Sequence, residues 1–62
     1  MNKLELQRKY IALVNVVLTE GDIQLHDGDE ASLVMDCIRM YSEGKSDAYI
    51  LGELRRILGV KR

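Results

Sequence analysis

Between Lys3 and Glu20 the chain carries two apolar rows at helical spacing, and no other stretch restricts the fold as strongly. Leu6, Tyr10, Leu13 and Val17 recur at steps of four, three and four; Leu4, Ile11, Val14 and Leu18 recur at seven, three and four. On a helix of ~3.6 residues per turn the rows lie side by side and cover roughly half the circumference. A helix apolar over that width needs cover on two sides. Later helices of the same chain are candidates for one side, and a second copy of the chain for the other. These eight residues are therefore the expected core and dimer set. Ile11, Val14, Val16 and Val17 are β-branched and would also suit a strand. The steps of three and four, and the lack of a second strand-like run to pair with, favour a helix.

A chain of 62 residues is one domain, 1–62, and a small one. At this size the burial gain, at ~25 cal/mol per Å², roughly cancels an ordering cost of ~1.5 kcal/mol per residue. Small domains therefore usually carry a staple. Cys37 is the only cysteine, which excludes a disulfide framework, and the supply of metal ligands is thin. Association is the staple that remains, and an apolar content of 47% provides surface for it. One cysteine suits a reducing interior, and the expected location is cytoplasmic. The apolar run Tyr10 to Leu18 follows Arg8 and Lys9 as in a secretory signal, but it lacks a small-residue cleavage site and Asn15 interrupts it. It is also far shorter than the ~20 apolar residues of a membrane span.

The fold expected is all-α, with helices over about 3–20, 30–43 and 47–58, assembled as an intertwined, domain-swapped or face-to-face homodimer. Asn2 is the expected N-cap of the first helix, with Glu5 completing a capping box. Gly21 is the expected left-handed stop. Residues 21–29 form the connection, rich in turn formers, with Ile23 and Leu25 laid against the core. Nine residues is long for a link within a compact bundle and permits exchange of the first helix between chains. Asp27 or Asp29 caps the second helix. Its apolar rows are Leu33, Cys37, Met40 and Val34, Ile38, Tyr41, widened by Ala31 and Met35, and Gly44 ends it. The third helix has Ser46 as N-cap and Gly59 as stop, with Val60 closing a Schellman motif. Its apolar stripe is Ile50, Leu51, Leu54, Ile57 and Leu58, and Gly52 lies mid-helix at a cost of ~1 kcal/mol relative to Ala.

Chemistry is sparse. His26-Asp27-Gly28-Asp29-Glu30 is rich in metal-ligand types, but with Gly28 at the sixth position of a calcium loop, Ile23 and Leu25 fall where acids belong. One histidine without a second soft ligand in register is poor for zinc. A capped turn is the better reading, with no metal or cofactor. Cys37 lies on an apolar helix face and reads as core. No nucleophile, base and orienting group can be assembled, so the chain is read as no enzyme.

The third helix carries the remaining candidates. Tyr49, Glu53, Arg56 and Val60 fall in one outward row with Arg55 beside it. Tyr and Arg are favoured at protein interfaces. The same helix, after a short turn, has the outline of a helix-turn-helix, in which Arg56 would reach a base edge and Arg55, Lys61 and Arg62 would hold phosphates. Charge speaks against that use. Residues 1–18 carry a net +2, 19–48 a net −6 and 49–62 a net +3, so basic ends flank an acidic middle. Asp47 would sit at the helix end facing DNA. The function expected is that of a small regulatory protein of the phage or plasmid type. It would bind another protein, with a transcription factor or repressor the first partner class. The alternative is a dimeric DNA-binding protein using the third helix.

Overall fold

A computed structural model describes residues 2–60 of the chain. Lys61 and Arg62, the expected phosphate holders at the C-terminus, lie outside the described residues. Three helices follow one another: α1 Lys3–Gly21, α2 Asp27–Ser42 and α3 Asp47–Leu58. Tyr10 of α1 meets Tyr41 near the end of α2 and Asp47 at the start of α3, whereas Glu20 near the end of α1 meets Arg55 near the end of α3. The chain therefore runs up, down and up, with α2 antiparallel to α1 and α3 parallel to it.

The helix starts follow their local chemistry. The Asn2 side chain accepts the Glu5 backbone N–H at 2.8 Å, and its amide donates to the Glu5 carboxylate at 3.3 Å. The box thus closes between the two side chains. Ser46 accepts the Tyr49 backbone N–H at 3.1 Å. α2 differs from expectation, beginning at Asp27 with His26 as an N-cap whose side chain makes no capping bond. Neither Asp27 nor Asp29 caps it; both are helical, with Glu30, in the first turn. Acidic side chains there face the free N–H groups and the positive end of the helix dipole, which offsets their weak helix propensity. The connection consequently shrinks from nine residues to five, 22–26, a common length between neighbouring helices.

All three helices end alike. The N–H groups of Asp22 and Ile23 donate to Thr19 and Leu18, those of Gly44 and Lys45 to Tyr41 and Met40, and those of Gly59 and Val60 to Arg56 and Arg55. Each set is a Schellman closure, with the first residue of the pair at positive φ. At the end of α1 that residue is Asp22, at φ 51°, and not the expected Gly21. Gly21 remains helical and is constrained by space. A Cβ there would stand 2.6 Å from Val60 Cγ2 and 2.8 Å from Ile23 Cδ1.

The core draws on every helix: Tyr10, Val14, Val17 and Leu18 from α1, Leu33, Val34, Cys37 and Met40 from α2, and Ile50 and Leu54 from α3. Leu6, Leu13, Ile23, Leu25 and Ile38 pack around it. One chain closes this core by itself, so burial of the inner side of α1 does not require exchange of that helix. The remaining apolar width of α1 is left outside: Leu4 is 55% and Ile11 43% exposed.

Candidate protein-binding surfaces

α3 is held at three places, and this decides which of its side chains face outward. In the middle, Ile50 and Leu54 are fully buried. Truncating residues of this kind to Ala typically costs ~2–5 kcal/mol. At the N-terminal end the Tyr10 hydroxyl donates to Asp47 Oδ1 at 3.2 Å and Lys9 Nζ lies 2.8 Å from Oδ2. Lys9 also stands 5.4 Å and 6.0 Å from the ring centres of Tyr10 and Tyr41, so cation–π attraction joins the ion pair. The Lys9 ammonium, with the Tyr10 hydroxyl, holds the Asp47 carboxyl below the usual carboxylate range. Burial, then the nearby Asp47 charge, pushes the Tyr10 hydroxyl up to about 12. At the C-terminal end the Arg55 guanidinium donates twice to the Glu20 carboxylate, at 3.1 Å each, and Val60 packs against Gly21 and the core.

The four residues expected in one outward row, and Arg55 beside it, are thereby divided. Arg55 and Val60 turn toward the end of α1. Tyr49 is 48% exposed, with Lys45 Nζ 5.1 Å from its ring centre. Arg56 is exposed and donates to Glu53 at 2.9 and 3.1 Å, a forked pair that fixes the guanidinium plane. This pair holds the Glu53 carboxyl low and pushes Arg56 up. Ile57, expected in the buried stripe, is 48% exposed. It stands one turn beyond Glu53 and two beyond Tyr49 and joins the outer face. The reason is the narrowness of the inner face: two fully buried residues one turn apart seat α3, and Leu51 and Leu58 take the flank toward the core. Gly52 also lies outside, and a Cβ there would meet nothing within 4 Å. The outer face of α3 thus presents an aromatic ring, an aliphatic side chain and an oriented guanidinium.

A second apolar surface lies between α1 and α2. Ile11, Ala31, Val34 and Met35 line an open groove of ≈ 380 Å³, bordered by Gln7, Asp27 and Glu30. Met35, expected to widen the buried face of α2, is 61% exposed. Leu4 precedes Ile11 by seven residues and extends the same row. Of the expected core and dimer set, Tyr10, Val14, Val17 and Leu18 are buried, Leu6 and Leu13 are half-buried against the core, and Leu4 and Ile11 stand on this outer side.

Cys37 is fully buried, and burial, then the Asp36 charge, pushes its thiol up to about 11. The acids after His26 are spread around the first turn of α2, and no three His, Cys, Asp or Glu side chains converge among the described residues. No helix among them is long and apolar enough to cross a membrane. Compared with known proteins, the chain matches no family model, no curated protein and no solved structure.

Proposed function

We propose that the chain is a small non-enzymatic regulator, working as a homodimer, that acts by binding another protein through the outer face of α3. The observation that carries this reading is the exposure of Tyr49, Arg56 and Ile57 together on a helix pinned at both ends. Aromatic and arginine side chains supply most interface energy, and a preset guanidinium loses less entropy on binding. The mechanism is occupancy. The regulator stabilises whichever state of its partner it binds more tightly. A transcription factor is the partner class to test first.

The DNA-binding alternative has less behind it. Arg55 is engaged with Glu20, Arg56 with Glu53, and the N-terminus of α3 carries Asp47. Both arginines share their charge with a carboxylate of the chain, which weakens the positive potential they offer to phosphate.

The test compares the wild-type chain with Tyr49→Ala/Arg56→Ala in pull-downs and in a low-salt DNA gel shift. Both residues are exposed, so helicity by circular dichroism is expected to persist. The reading predicts a protein retained by the wild type and lost with the double variant, and no DNA shift. Equal retention by both chains would refute the assigned surface. DNA affinity that falls steeply with salt would move the function to nucleic acid.

A further inference from the structure

The groove between α1 and α2 and the outer row of α1 are complementary to each other, which makes a second copy of the chain the occupant that fits. We infer that two chains pair through this face about a two-fold axis at Ile11, with their α1 helices antiparallel. The inference rests on the homodimer reading above and specifies its face and register.

The row is apolar at Leu4 and Ile11, with Arg8 one turn after Leu4. The groove is apolar at Ile11, Ala31, Val34 and Met35 and is rimmed by Asp27 and Glu30. Arg8, Asp27 and Glu30 make no ion pair among the described residues, so a basic residue on the row and acids on the rim are both left for a partner. The register follows from helix geometry. With Ile11 against Ile11, Leu4 of one chain lies seven residues, about 10 Å, beyond the axis. It then overlies the level of Leu18 on the other chain. Glu30 lines the groove with Ile11 and a second, polar cavity with Leu18, and so stands between those two levels. Arg8, three residues from the axis, overlies the level of Val14 between them and comes within reach of Glu30. Two-fold symmetry makes each contact off the axis twice.

A protein of 30 × 22 × 14 Å offers on the order of 500 Å² per chain on such a face, the low end of specific interfaces, so association is expected in the micromolar range.

The experiment is sedimentation equilibrium from about 5 to 500 µM, bracketing that range, on five full-length chains: wild type, Ile11→Glu, Met35→Glu, Arg8→Glu, and Arg8→Glu/Glu30→Arg. Ile11 and Met35 are exposed, so circular dichroism should report an intact helical fold in both. The inference predicts a wild-type dimer, loss of dimer in both apolar variants, roughly tenfold weaker pairing for Arg8→Glu, and recovery in the charge-swapped double variant. A wild-type dimer indifferent to Ile11→Glu and Met35→Glu would overturn the face while leaving the homodimer reading intact. Weakening by Arg8→Glu without recovery in the swap would overturn the register. A wild-type monomer over the whole range would overturn both this inference and the homodimer, while partner binding by α3 would still stand on its own pull-down.

Discussion

Two glycines inside helices should respond to the same substitution with opposite sign. Gly52 is in the middle of α3, and an added Cβ meets nothing within 4 Å. Gly52→Ala therefore keeps only the propensity gain, ~1 kcal/mol in a helix interior. In a chain of this size that corresponds to a rise in melting temperature of about 4–8 °C. Gly21 gains less propensity at the last helical residue, and its Cβ would stand 2.6 Å from Val60 Cγ2 and 2.8 Å from Ile23 Cδ1. Ile23 can swing its terminal methyl aside. Val60 has only one side-chain torsion, and its backbone N–H is bonded to the Arg55 carbonyl at 2.9 Å. Clearing the clash means moving Val60 off the core, and overpacking of this kind costs ~1–3 kcal/mol. Gly21→Ala is thus expected to lower the melting temperature. In a Val60→Ala background the same change should become neutral or stabilising, which a double-mutant cycle measures as a coupling of about 1 kcal/mol or more. Melts are run at one fixed chain concentration, because association would shift them. If Gly21→Ala stabilises as much as Gly52→Ala, or if the coupling to Val60 is absent, the close contact between the ends of α1 and α3 is refuted.

Two further outcomes follow from the helix ends and the core. Asp22 is the one non-glycine residue at positive φ among those described, and it places a negative charge at the C-terminal end of α1. Asp22→Gly removes both penalties and is expected to stabilise by a few tenths to about 1 kcal/mol, read as a higher denaturant midpoint with unchanged slope. Alkali should destabilise the fold. Tyr10 and Cys37 titrate at about 12 and about 11 in the folded chain against ordinary values of 10 and 9. The unfolded chain releases these protons first, so their contribution is complete below pH 9 and falls as pH rises from there to about 12. The midpoint of Tyr10→Phe should decline less steeply than that of the wild type above pH 10, and equal slopes would contradict the buried Tyr10 hydroxyl.

What could be read from the residues alone was local. Asn2, Ser46, Gly44 and Gly59 announced helix ends because capping depends on chemistry within a few residues of the chain. The spacing of Tyr10, Val14 and Val17 announced an inward face because helical periodicity is a property of the segment itself. The same locality explains why His26 to Asp29 read as a turn. The gain from acids at a helix start competes with turn propensity, and both signals sit on the same residues.

Only the tertiary structure decided which apolar residues stay outside and which charges are engaged. Leu4, Ile11, Met35 and Ile57 carry the same periodic signal as their buried neighbours. Their exposure depends on how closely three short helices approach and how narrow a face each can cover. Arg55 and Arg56 are adjacent and alike in sequence, yet one bridges 35 positions to Glu20 and the other turns back three to Glu53. Tyr10, Lys9 and Asp47 meet because α3 returns parallel to α1, a relation no local pattern encodes. Helical periodicity states that a face is apolar, and the packing of the other helices determines how much of that face remains for a partner.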